Sequence, residues 1–339
     1  MSGPVLSLAA LFLVLGAQVC AETGGEPRRT SVPVELYFDV SSWLSTGEGS
    51  WDIADIDGSP DVLSELEFKG LSSLVADVEA GVRLGRHGLV AGAGLGSITG
   101  GSYEDRDYLG DGRTSLFSYS SGEAANGDDD AVSYWFVEYR FRVFGPGLYH
   151  GKGAGGDASA RKGPGLVERL GRLDVVVAYR RWRERLVITK GVQHRWYDRY
   201  DLGAIEGLDS RYAFEWTAAG AGLDAVVPLS TTVELLLRGL FYPDVSFEGE
   251  GTWNLRTDFR QDPSFRHEAG GGDGWELRGA LTWRPRAPVV LTAGYRYWSR
   301  RAGDGVDTLY LVDGSTIRTR LNNVASSREG PFFSVAFRL

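Results

Sequence analysis

Apolar and polar residues alternate along ten stretches of the chain, at about 32 to 45, 62 to 84, 88 to 99, 131 to 145, 172 to 195, 209 to 228, 231 to 248, 273 to 285, 288 to 301 and 328 to 339. A period of two predicts β-strands with unlike faces. In the clearest stretch, Trp135, Val137, Tyr139, Phe141 and Val143 share one face while Glu138, Arg140 and Arg142 share the other. A soluble sandwich would not turn three charges inward, so the polar face predicts a wet lumen and the apolar face lipid. Residues 275 to 284 repeat the pattern, with Trp275, Leu277, Leu281 and Trp283 against Glu276, Arg278, Thr282 and Arg284. The last stretch sets Phe333, Val335, Phe337 and Leu339 against Ser334, Ala336 and Arg338. These features predict an all-β transmembrane, antiparallel, up-and-down β-barrel of about ten strands. The final strand is expected to be the one offered to the barrel-assembly machinery.

Connections between the stretches alternate in length, as a barrel with both ends in the periplasm requires. Gly85 to Gly88, Pro228 to Thr231 and Arg284 to Pro288 are short, whereas 46 to 61, 100 to 130, 196 to 208, 249 to 272 and 302 to 327 are longer and richer in Asp, Gly and Ser. One inner connection, 145 to 171, is unexpectedly long and rich in Gly, Ala, Lys and Pro, which predicts a flexible insertion.

Residues Val5 to Gly16 form an apolar run too short to cross a bilayer, followed by Val19, Cys20 and Ala21. This predicts a signal peptide over 1–21, in which only the amino terminus supplies positive charge because no Lys or Arg precedes the run, then a linker over 22–31 and a barrel over 32–339. The single cysteine, Cys20, falls in the signal, so no disulfide or thiolate metal site is expected, and neither metal nor cofactor is implied. No later stretch reaches the roughly 18 uninterrupted apolar residues of a membrane helix. The compartment implied is the outer membrane of a Gram-negative cell. A net charge of −9 argues against nucleic acid as a partner. A closed barrel satisfies its own backbone, which makes a monomer the expected state. The 47 glycines and the Phe, Trp and Tyr content suit strands that bend and aromatic girdles, and Trp43, Trp135, Trp182, Trp216, Trp275, Trp283 and Trp298 are expected at the girdle and lipid face.

Beyond the third strand the chain runs Glu104, Asp105, Arg106, Asp107, Tyr108. This resembles the outer-loop motif of the omptins, outer-membrane endopeptidases in which an Asp-x-Asp-aromatic run supplies half of the active site. Ser64 to Lys69 resembles the opening of the family's second strand, and Ala178-Tyr179 followed by Thr189-Lys190-Gly191 its fifth. The resemblance implies a ten-strand barrel rising beyond the outer leaflet, with an aspartate pair and an Asp-His pair facing each other across a cleft and activating water. Asp105 and Asp107 match the first pair. The second pair has no match: where the family carries Asp-x-His, this chain reads Tyr242 to Trp253 without histidine.

Of the four histidines, His87 and His150 fall in predicted inner connections, leaving His194 and His267 able to reach the outer mouth. His267, with Asp258 and Asp262 near it in sequence, is the candidate base, against the bland reading of an idle loop histidine. The competing reading of Asp105 and Asp107 is a solvated acidic loop, since Glu104, Asp111 and Asp128 to Asp130 lie close by in sequence. Asp128 to Asp130 themselves read as solvated, or as a weak divalent-ion patch. Arg181, Arg183 and Arg185, with Arg180 and Arg195, fall on the outer half of the fifth strand, where guanidinium forks would meet lipopolysaccharide phosphates, as the resemblance also implies. The alternative for these arginines is pairing with Glu138, Glu184 and Glu276 in the lumen. Three functional readings remain. One is a degenerate aspartic-type endopeptidase, the second a non-enzymatic surface-binding or lipopolysaccharide-associated barrel. The third, a diffusion channel, is disfavoured because open porins use about 16 to 18 strands.

Overall fold

The computed structural model describes residues 34–125, 130–145, 171–286 and 288–338. The signal-peptide and linker predictions, His150 and most of the 145–171 insertion therefore lie outside the described residues. Among the described residues twelve strands follow in order: β1 (Val34–Ile53), β2 (Ser64–Leu84), β3 (His87–Gly110), β4 (Thr114–Ala124), β5 (Ala131–Phe144), β6 (Arg172–Trp196), β7 (Arg199–Ala204), β8 (Asp209–Pro228), β9 (Val233–Thr252), β10 (Phe265–Arg286), β11 (Val289–Tyr310) and β12 (Thr316–Arg338). Every pairing is antiparallel, and β1 pairs with both β2 and β12, which closes the ring. The count of twelve reconciles with ten staves. β4 and β5 both lie between β3 and β6, one above the other, and so form a single stave interrupted near 125–130. Likewise β7 and β8 both pair with β6, β7 beyond β8.

The exterior locates the lipid. On β1, Val34, Leu36, Phe38, Val40 and Leu44 are exposed, and polar Thr46 and Glu48 follow on the same face. The same change from apolar to polar comes after Leu74 on β2, Leu95 on β3 and Trp275 on β10, each time moving away from the termini. A spanning strand needs about 9–11 residues. Strands such as β1, with 20 residues, and β6, with 25, are about twice that, so their far halves stand beyond the bilayer. Of the predicted outer loops, 100 to 130 and 302 to 327 are for this reason mostly strand, and 46 to 61 is strand as far as Ile53. Above the lipid the outward face of a strand meets water in place of hydrocarbon, and the contrast between an apolar outside and a polar lumen that reveals a strand from sequence disappears.

Inside the wall, many of the charges pair with one another. Glu138 is fully buried and receives Arg140 at 2.6 Å, Arg180 at 3.0 Å and Arg238 at 2.9 Å. Asp174 gathers Arg83, Arg142 and Arg172, and Glu184 takes Arg328 at 2.6 Å. Next to these networks, Trp43, Trp182, Trp298 and Tyr134 stack across the lumen, with Trp182 ring centroids 4.6 Å from Tyr134 and 4.7 Å from Trp298. Glycines make room for such rings: a Cβ at Gly92 or Gly94 on β3 would overlap Phe136 or Tyr134. Of the seven tryptophans expected at the girdle, Trp135, Trp275 and Trp283 are on the lipid face, whereas Trp43, Trp182, Trp216 and Trp298 are buried in the interior. Strand parity decides this. Trp43 sits between lipid-facing Ser42 and Leu44, and one residue's offset turns a side chain to the other face.

Candidate functional site

At the end of the barrel away from the termini, a cavity of about 740 Å³ opens between the upper halves of the staves. Among the described residues, long connections lie at this end and short turns at the other, which makes it the extracellular mouth. Asp105 and Asp107 stand two apart on β3, and side chains two apart on a strand share a face. Both point into the cavity. They register against Leu66 and Ser64 of β2 on one side and Ser120 and Ser118 of β4 on the other. The neighbouring acids are used differently. Glu104 pairs with Arg106 and, at 3.2 Å, with Lys69, while Asp111 accepts hydrogen bonds from Ser59 and the Asp61 amide. Asp130 Oδ1 accepts the Val187 amide at 2.7 Å, and the other two acids of that run lie outside the described residues.

Burial, with Asp107 beside it, pushes the Asp105 carboxyl well above the ordinary carboxylate range. Asp107 is also raised by burial, opposed by hydrogen bonds from Ser64 and Ser118 and by the charge of Arg256. Two carboxyls so placed titrate as a unit and together keep a proton that a solvated pair would lose. Folded Asp105 thus holds its proton at pH values where the unfolded chain, with a carboxyl near about 3.9, has released it. Stability must then fall as pH rises from the unfolded value toward the folded one. Asp105→Asn is accordingly expected to raise the urea midpoint of the refolded barrel at neutral pH, with the gain shrinking to nothing below about pH 3.9, where both states are protonated. A gain independent of pH would contradict this.

His267 lies on β10 and lines the same cavity. Its partner is neither Asp258, which pairs with Arg256 at 2.8 Å, nor Asp262; it is Asp307, directly opposite in the β10–β11 register. His267 Nε2 is 3.3 Å from Asp307 Oδ1, and Thr319 donates to Asp307 Oδ2 at 3.1 Å. The other ring nitrogen, Nδ1, meets the Tyr212 hydroxyl at 3.2 Å. Trp51 and Phe265 pack on the ring, each with centroids 4.8 Å away, and His267 is 1% exposed. Burial and the charge of Asp307 push the Tyr212 hydroxyl well above its usual value, which keeps it a hydrogen-bond donor. Asp307 and Tyr212 were not singled out from the sequence. Asp307 falls in what reads as a polar loop, and only cross-strand register sets it against His267.

His194 does not join this group; it accepts or donates to Ser121 at 2.8 Å and stacks on Tyr119, while its neighbour Gln193 lines the cavity. His87 sits at the opposite end of the barrel, 2.6 Å from the Tyr139 hydroxyl. Arg181, Arg183 and Arg185 are exposed on the outer wall of β6, directly beyond lipid-facing Tyr179. Arg181 pairs with Glu215 at 2.6 Å. Arg180, on the other face, belongs to the lumen and contacts Glu138 and Glu276.

The family model described as Pom, Protochlamydia outer membrane protein, matches residues 179–337, from β6 to β12. No curated protein matches the sequence. Among solved structures, the chain is similar to the outer membrane protease OmpT from Escherichia coli, with a TM-score of 0.68 at 9% identity, covering 90% of this chain and 95% of that one. Looser similarities are to the translocator domain of the autotransporter NalP from Neisseria meningitidis (TM-score 0.36, 11% identity, 98% and 95% covered) and to Ail of Yersinia pestis (TM-score 0.29, 8% identity, 90% and 99% covered). The chain is therefore an outer-membrane β-barrel that shares its fold with OmpT and is similar over its β6 to β12 half to the Pom family.

Proposed function

We propose that this barrel is an outer-membrane hydrolase that cleaves polypeptides at its extracellular mouth. One observation carries the reading: Asp105, Asp107, His267 and Asp307 line a single cavity although they come from three staves. In this mechanism the ionised member of the aspartate pair, Asp107, takes a proton from water, and the protonated member, Asp105, gives one to the scissile amide. His267, held by Asp307 in the same cavity, is the alternative acceptor for the water's proton. It serves once the Tyr212 hydroxyl gives up Nδ1, because Nε2 is turned to Asp307. On the outer wall Arg181, Arg183 and Arg185 would hold lipopolysaccharide phosphates, with the barrel a monomer in that lipid.

A second reading is a non-enzymatic, surface-binding barrel. It is favoured by the engagement of both His267 nitrogens and the near-complete burial of the ring, the setting of a structural histidine. Refolded protein with lipopolysaccharide, incubated with a peptide mixture and read by mass spectrometry, separates the two. The hydrolase reading expects cleavage that falls by about two to four decades in Asp105→Asn and in Asp107→Asn. Absence of cleavage, or cleavage untouched by both substitutions, leaves the binding reading standing.

A further inference from the structure

We propose that the mouth accepts an extended polypeptide at a bulky apolar side chain and not at a pair of basic ones; this specificity rests on the hydrolase reading above. The cavity, about 740 Å³, is of a size that encloses a small organic group or large side chain. Beside the aspartate pair its wall is made by Phe117, Trp196, Ile205 and Leu208, with Leu255 and Phe259 contributed by the loop between β9 and β10. These groups are held in place. Phe117 and Trp196 pack with ring centroids 6.0 Å apart, and the Ile205 amide donates to Gly191 O at 2.7 Å, tying the β7–β8 connection over β6.

Cationic side chains find little here to replace their water. Apart from the aspartate pair, the carboxylates lining the cavity are Asp55 and Asp307. Asp307 is occupied by His267 and Thr319, and Asp55 Oδ1 accepts the Ile56 amide at 2.7 Å. Arg256 also lines the cavity and adds a positive charge that acts on Asp107. One cation could be met by the aspartate pair and a second only by Asp55; elsewhere the wall is apolar and would strip a cation of water without repayment, which is costly. A Phe, Leu or Trp side chain in the same place gains from leaving water.

The test is a binding measurement that needs no turnover. Peptides with a reduced, uncleavable central bond, identical except for Phe-Leu or Arg-Arg flanking that bond, are titrated against the refolded full-length barrel by fluorescence anisotropy. The Phe-Leu peptide is expected to bind about tenfold or more tightly than the Arg-Arg peptide. Leu208→Asp, which places an acid on the apolar wall without touching the aspartate pair, is expected to narrow or reverse that ratio, and Leu208→Ala to weaken only the Phe-Leu peptide. Equal or tighter binding of Arg-Arg, or a ratio indifferent to Leu208→Asp, overturns the proposal. The two readings fail separately. Apolar preference without aspartate-dependent cleavage sinks the hydrolase and keeps the subsite, while aspartate-dependent cleavage with Arg-Arg preference does the reverse.

Discussion

Replacing Glu138 by Ala should lower the unfolding free energy of the refolded barrel by about 3–5 kcal/mol, the usual cost of leaving buried charge without its partner. The figure belongs at the upper end because Glu138 is a hub. Its two oxygens accept from Arg140, Arg180 and Arg238, and Arg238 spans both of them at 2.9 and 3.0 Å. Removing this carboxylate therefore takes one partner from three guanidinium groups at once. Each keeps another, Arg238 with Asp224 at 2.6 Å, Arg180 with Glu276 at 2.9 Å and Arg140 with Glu79 at 3.1 Å, which limits the loss. Urea titration of wild type and variant, followed by the shift from the heat-resistant folded form on gels, gives the number. A change under about 1 kcal/mol, the range of exposed pairs, would mean that water reaches this part of the lumen.

Trp182→Ala is expected to cost a similar amount, about 3–5 kcal/mol, by removing the centre of the aromatic stack. Trp182 is 3% exposed, meets Trp43, Tyr134 and Trp298 within 6.1 Å, and donates through Nε1 to Glu184 at 2.8 Å. This change has a second readout. The stack lies across the lumen, so the wild-type barrel should give no ohmic single-channel steps in planar bilayers, and the variant should leak ions. Conductance by the wild type would revive the channel reading. Trp135→Ala offers a contrast: its ring is 41% exposed on the lipid face, and losing it should leave conductance unchanged.

The strands that cross lipid were legible in the sequence because lipid imposes a chemical contrast on them. Trp135 to Val143 and Phe333 to Phe337 alternate cleanly since one face meets hydrocarbon and the other the lumen. That contrast ends at the membrane boundary. Gly49 to Ile53, Ser102 to Tyr108 and Gly303 to Tyr310 read as polar loop, yet they are strand, held by the same ladders that continue up from the lipid zone. The tryptophans show a related limit: aromatic content marks a barrel, but whether Trp43 or Trp135 faces lipid depends on parity within a paired strand.

The candidate site divides in the same way. The sequence by itself determined the aspartate pair as a candidate, through its Asp-x-Asp-aromatic run; that the two side chains share one face was decided by β3 continuing through a segment that reads as loop. It also narrowed the four histidines to His194 and His267, and preferred His267 for the aspartates near it in sequence. Only the tertiary structure decided that His267 shares a cavity with that pair, and that its carboxylate is Asp307, forty residues away across the β10–β11 register. The physical reason is that a barrel builds its mouth from ring closure and strand register. Both are properties of pairing between distant segments, and neither leaves a mark in the local order of residues.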